Sequence, residues 1–144
     1  MAEQPHSFQV DIVSAEGEIF SGPATMLFAP GTLGDLGILP GHAPLLTMLK
    51  PGEVRVQTAD GSEQQFFVGG GALEVQPKKI TVLADTAIRA KDLDEEAALA
   101  AKQRAEEQLR DKGDKVSLAE AQAELARVIA QLKLIRKLRD DLRR

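Results

Sequence analysis

Gly34-Asp35-Leu36-Gly37-Ile38-Leu39-Pro40-Gly41-His42-Ala43-Pro44-Leu45-Leu46 is the stretch that decides how this chain folds. Three glycines and two prolines interrupt a short apolar run. Proline holds φ at about −65° and glycine permits positive φ, so the backbone turns sharply at several points. The run is too broken for a helix and too apolar for a solvated loop. Ile38, Leu39, Leu45 and Leu46 call for burial. The segment therefore predicts a tight corner between short strands, pinned to a β core.

Outward from that corner the two-residue period of strands is readable. Phe8, Val10 and Ile12 alternate with Gln9 and Asp11, Val54 and Val56 flank Arg55, and Ile80, Val82 and Ala84 alternate with Thr81 and Leu83. Glu16-Gly17, Ser21-Gly22-Pro23, Pro30-Gly31, Pro51-Gly52, Asp60-Gly61 and Pro77-Lys78 punctuate them, with Asp60-Gly61 suited to a hairpin. Short strands with frequent turns predict a β-sandwich or flattened barrel.

The chain changes character after this region. All seven prolines lie at or before Pro77, and eleven of twelve glycines at or before Gly71. Beyond them Ala, Leu, Glu, Lys, Arg and Gln dominate, which favours helix. The fold class predicted is α+β: a β domain over 1–89, then an antiparallel α-helical hairpin over 90–144. Helices are expected over roughly 93–111 and 118–142. Asp92 with Glu95, and Ser117 with Glu120, read as capping boxes, and Gly113 as the left-handed break between the helices. Leu93, Ala97, Ala101, Ala105 and Leu109 form one apolar stripe. Leu118, Ala121, Leu125, Val128, Leu132 and Ile135 form the facing one. Alanine buries little area, at about 25 cal/mol per Å². The hairpin is therefore expected to be weakly held, with the seam loosening beyond Ile135 to leave a basic tip.

Composition excludes several classes of function. The net charge of −4 gives no field that attracts nucleic acid, and the absence of cysteine removes disulfides and thiolate metal sites. No leader-like segment is visible at the N-terminus, and no apolar run reaches the roughly 18 residues of a membrane span. No metal site is expected, because His6 and His42 are far apart and lack ligand spacing. Gly69-Gly70-Gly71 has no Lys-Ser or Lys-Thr after it, so it reads as a strand bulge or reversal and not as a phosphate loop. Asp35 and His42 are the one plausible acid–base pairing of the corner, but no nucleophile accompanies them, and their reading is structural or interfacial. Charge is polarised: from Ser117 onward seven positive and four negative residues give +3, leaving −7 elsewhere. Lys133, Lys137 and Arg144 share one helix face. The residues alone predict an interaction protein: a β module joined to a weakly held basic hairpin.

The corner also resembles the signature of the epsilon subunit of F-type ATP synthases. Phe20-Ser21-Gly22, Gly69-Gly70-Gly71-Ala72-Leu73-Glu74-Val75, Thr81-Val82-Leu83-Ala84-Asp85-Thr86-Ala87 and Leu93-Asp94 are similar to blocks of that family in the same order, so the resemblance runs from about residue 7 to about residue 140. It implies a non-catalytic central-stalk subunit whose β-sandwich binds the gamma subunit and the c-ring, with no nucleic acid and no direct membrane insertion. It also implies a hairpin that extends toward the alpha and beta subunits and inhibits ATP hydrolysis. Asp35 and His42 fall on the c-ring side. Arg127, Lys133, Arg136, Lys137 and Arg139 fall where basic residues meet an acidic loop of the catalytic subunit. Some members bind ATP through a pattern that ends in Arg-Ala. In Leu93-Asp94-Glu95-Glu96-Ala97-Ala98 the arginine position is Ala97, so a phosphate partner is missing and no cofactor is expected. Asp94 and Arg127 are the remaining ATP candidates of the alternative reading, a nucleotide sensor. The implied location is peripheral, on the cytoplasmic face of a bacterial inner membrane. The bacterial source is inferred because no transit peptide precedes the β module.

Overall fold

The structure, a computed structural model, describes residues 6–111 and 115–142, with backbone alone at 115–117. Seven strands come first: β1 (Phe8–Ser14), β2 (Gly17–Gly31), β3 (Gly34–Ile38), β4 (Leu45–Thr58), β5 (Glu63–Val75), β6 (Lys79–Ala84) and β7 (Ala87–Arg89). A 3-10 turn at Ala90–Asp92 leads to helices α1 (Glu95–Arg110) and α2 (Lys115–Leu142). The chain divides into two compact units, Met1–Lys91 and Asp92–Arg144.

Strand order is β1-β6-β5-β4-β2-β3, and β1 also pairs with β2. That extra pairing closes β1, β6, β5, β4 and β2 into a ring, the flattened barrel expected from the strand pattern. The β1–β6 pairing is parallel and brings the start of the unit beside a strand some seventy residues later. β3 lies outside the ring and pairs with β2 alone.

The alternating residues fill the ring. Val10, Ile12, Val54, Val56 and Val82 are fully buried, and Ile80 nearly so. Phe20 meets Phe66 edge-on, with ring centroids 5.6 Å apart. At the Asp60-Gly61 hairpin, Thr58 donates its amide to the Ser62 carbonyl at 2.8 Å, and Gly61 takes φ +88°. The corner is less buried than expected. Ile38 is buried, but Leu39 is 55% and Leu46 74% exposed. Leu46 sits on β4 one residue out of phase with the core position Leu45, so the strand pleat turns it outward.

The triple glycine is a point where a strand changes partners. β5 pairs β6 as far as Gly71 and β7 from Val68 back to Phe66. Between these ladders, Gly69 donates to the Thr86 carbonyl and Asp85 to the Gly70 carbonyl, both at 2.9 Å. A Cβ on Gly71, at φ +141°, would run into the Leu83 carbonyl oxygen. Only glycine allows β5 and β6 to pass this closely.

In the second unit α1 starts later than expected. Asp94, not Asp92, is its N-cap and accepts from the Ala97 amide at 3.2 Å. Asp92 closes the 3-10 turn instead. α2 starts earlier, at Lys115, so Ser117 lies inside the helix and not at its cap. The break assigned to Gly113 falls outside the described residues. Ala98, Val128 and Leu132 form the buried seam, with Ala101 and Ile135 against it. Ala97 is exposed, because the real stripe runs one residue out of the predicted phase at this end of α1. The seam does not open beyond Ile135 either: Arg139 forms an ion pair with Glu95 of α1.

Candidate functional site

The outer wall of the barrel carries the main candidate surface. Register sets Met48 of β4 opposite Ala72 of β5, Ala72 opposite Leu83 of β6, and Leu83 beside Val13 of β1. Their neighbours along each strand (Leu49, Leu73, Val82 and Ile12) are all buried in the core. The row therefore faces outward on four adjacent strands. Met48 is 58% and Leu83 52% exposed, and Leu46 extends the row on β4. Lone surface leucines are ordinary, but an apolar row across four strands is a candidate contact surface.

The next row out is polar apart from Leu46. Leu46 stands opposite Glu74, Glu74 opposite Thr81, and Thr81 beside Asp11. Asp11 accepts from Gln9 Nε2 at 3.0 Å and Ser21 Oγ at 2.8 Å, and Lys79 Nζ lies 3.3 Å from its other oxygen. Hydrogen bonds from Gln9 and then Ser21, with help from Lys79, hold its carboxyl below the usual range. The Asp11 charge is thus fixed at the border of the apolar row. The border is apolar within and polar at the rim, with the Asp11 charge balanced by Lys79.

Asp35 is exposed on β3, opposite Pro30. His42 lies in the loop that follows β3, half-buried, with Nδ1 2.7 Å from the Ala43 carbonyl oxygen. That loop is tied back to the barrel through the Gly41 amide, which donates to Pro77 at 3.4 Å. No hydrogen bond joins Asp35 to His42, so the corner holds no acid–base dyad. Leu33, at the tip between β2 and β3, is 97% exposed.

On the hairpin the ATP candidates are not brought together. The Asp94 carboxylate caps α1, and Arg127 Nη2 is 2.5 Å from Glu124 Oε2 on the same helix. Lys133, Arg136 and Lys137 are exposed along α2. Arg139 is paired with Glu95, while Arg143 and Arg144 lie outside the described residues. Among the described residues no cluster of His, Cys, Asp and Glu suits a metal, and no helix is long and apolar enough to cross a membrane. A shallow cavity of about 470 Å³ lies against Glu63, Gln64, Gln65, Arg89, Ala90 and Lys91. Its Arg89 is already occupied by the Ile19 carbonyl at 2.7 Å and by Gln64.

The exposed row on β4, β5, β6 and β1 escaped the sequence reading. A signal for it existed. Leu45-Leu46-Thr47-Met48-Leu49 is apolar at both phases of the strand period, which a strand with one solvated face has no reason to be.

Comparison with known proteins agrees with this geometry. Residues 7–90 match the model of the ATP synthase delta/epsilon chain beta-sandwich domain, and residues 91–136 that of its long alpha-helix domain. The ATP synthase epsilon chain of Nitrosococcus oceani is 62% identical over 136 residues, covering 94% of this chain and 97% of that one. The epsilon chain of Halorhodospira halophila is 56% identical over 140 residues, covering 96% and 99%. Among solved structures, a chain of the Euglena gracilis mitochondrial ATP synthase, in a structure of OSCP, F1 and the c-ring, superposes with a TM-score of 0.78. It is 18% identical, with 90% of this chain and 81% of that chain covered, a likeness of fold.

Proposed function

The chain belongs to the delta/epsilon-chain family of ATP synthases, and from that premise we propose that it couples rotation of the c-ring to the catalytic head and restrains ATP hydrolysis through its C-terminal hairpin. It is a non-catalytic subunit of the complex. In this reading the barrel is the docking module. Its exposed row, Met48-Ala72-Leu83-Val13 with Leu46, seats against the gamma subunit, with the polar rim of Glu74, Thr81 and the Asp11–Lys79 pair beside it. The corner carrying Asp35 and His42 turns to the polar loops of the c-ring, where the exposed Asp35 carboxylate suits a basic residue. The subunit is then held at the membrane peripherally, through its partners, on the cytoplasmic face of a bacterial inner membrane.

The hairpin is the regulatory part. Its seam is thin, built on Ala98 and Ala101 against Val128, Leu132 and Ile135. Small residues let the helices approach but leave little apolar area to hold them, so closed and opened forms lie within a few kcal/mol. Opened, α2 presents Lys133, Arg136, Lys137 and Arg139 to an acidic loop of the catalytic subunit. Asp94 caps α1 and Ala97 supplies no cation, and on these grounds we propose inhibition as the hairpin's role rather than nucleotide sensing.

The observation that carries the proposal is the exposed apolar row on a barrel whose core is otherwise complete: it is a surface made to be covered. Truncation of residues 92–144 tests the division of labour. Assembly is expected to persist and ATP hydrolysis to rise. Loss of assembly with unchanged hydrolysis overturns it.

A further inference from the structure

We propose that the Glu95–Arg139 ion pair is a latch that holds the hairpin closed and keeps Arg139 from an acidic partner until it is released. The inference rests on the reading of the hairpin as the inhibitory arm. Arg139 Nη2 pairs with Glu95 Oε2 across the two helices, joining the last turn of α2 to the first turn of α1. Lys102–Glu106 lies within α1 and Arg127–Glu124 within α2, so those pairs survive when the helices part. The Glu95–Arg139 pair cannot. It closes the hairpin at the end farthest from the α1–α2 connection, beyond the last seam residue, Ile135.

Its position makes it exchangeable. Both side chains keep substantial exposure, 44% for Arg139 and 39% for Glu95, so breaking the pair strands no charge in an apolar place. Each charge also stands at the favourable end of its own helix, a carboxylate at an N-terminus and a guanidinium at a C-terminus. Each is therefore comfortable alone. An acidic protein surface that offers Arg139 another carboxylate competes with Glu95 on even terms. The latch thus makes opening of the arm and capture of Arg139 one event, and makes both sensitive to ionic strength.

The test is a charge-reversal cycle in the full chain. Spin labels at Glu96→Cys and Asp141→Cys, both at exposed sites on the two helix ends, report the distance between those ends. Glu95→Arg and Arg139→Glu should each raise the opened fraction by up to about fivefold, and the double reversal should restore the closed distance. Unchanged distance distributions in both single variants overturn the latch. If a reversal lowers the helical circular-dichroism signal, Glu95→Gln, which keeps Arg139 and adds no repulsion, replaces it under the same criterion. In the assembled enzyme, Glu95→Gln should inhibit hydrolysis more strongly. Should the label distance lengthen while hydrolysis stays the same, the latch stands and the inhibitory reading of the arm falls.

Discussion

Replacing Leu46, Met48 and Leu83 by alanine removes the outward side chains of the row without touching the barrel core. These three side chains are 74%, 58% and 52% exposed. A partner that covers them takes half to three quarters of each from water. Full burial of a Leu or Met contributes about 1.5–3 kcal/mol, so the exposed part, less the methyl that alanine retains, comes to about 1 kcal/mol per residue. The triple variant should lose about 3 kcal/mol of binding, on the order of a hundredfold in Kd. The assay is calorimetric titration of the full chain against purified gamma subunit, with thermal unfolding of each variant measured in parallel. Unfolding should stay within a few degrees of the parent, because positions already in water lose little on truncation. Leu33→Ala serves as the control: Leu33 is 97% exposed but sits on the β2–β3 tip, off the row, and its loss should leave Kd unchanged. A triple variant that binds within twofold of the parent while melting normally refutes the docking argument. Equal losses in the Leu33 control would show that general surface apolarity, and not the row, sets the affinity.

Three further predictions concern the barrel itself. Gly71→Ala should destabilise the first unit by about 2 kcal/mol or more in urea denaturation, because β5 and β6 must separate to admit the methyl group. Gly61→Ala, at φ +88° but with open space around it, should cost only about 1 kcal/mol of backbone strain. At the β4–β5 hairpin, the Thr58 hydroxyl and then the Ser62 hydroxyl and amide lower the Asp60 carboxyl from 3.8 to about 2. Its ionised form is thus favoured in the fold, so its contribution is complete above 3.8 and disappears as pH falls toward 2. In urea melts across that window the gap between parent and Asp60→Asn should narrow as pH falls, and a gap independent of pH would contradict the assignment.

The strand pattern was legible in the sequence wherever one face is wet. Phe8-Val10-Ile12, Val54-Val56 and Ile80-Val82-Ala84 alternate cleanly because water and core sit on opposite sides of those strands, and each lies where its period predicts. The corner misled for the same reason in reverse. Hydrophobicity alone assigns Leu39 and Leu46 inward, but the β4 pleat turns Leu46 outward, and Leu39 lies past the end of β3, outside the ladder. The closure of the ring by parallel β1 and β6 was not legible, since pairing between distant strands leaves no local mark. At the hairpin, composition showed two helices; α1 starts two residues later than expected because Asp92 and Asp94 both offer caps and the 3-10 turn at Ala90–Asp92 leaves the role to Asp94, while α2 starts three residues earlier, at Lys115. Asp35, His42 and the α2 cations came forward as interface candidates through the resemblance of the family blocks and not through their own spacing. The Glu95–Arg139 pair spans 44 residues of sequence, and nothing in the spacing of the two residues announces it.

Closure of the ring bears on how force passes through the first unit. A sheet with open margins yields to a sideways pull by peeling, one hydrogen bond after another from its rim. Here β1 is bonded on both sides, to β2 and β6, so the five strands of the loop have no rim between them. A load applied at Leu83 or Met48 must shear whole ladders at once. Among the described strands, β3 and the short β7 lie off the loop with one partner each, so these are the strands a pull can peel; if Asp35 meets the c-ring as proposed, the strand that carries it yields before the wall proposed to seat on gamma.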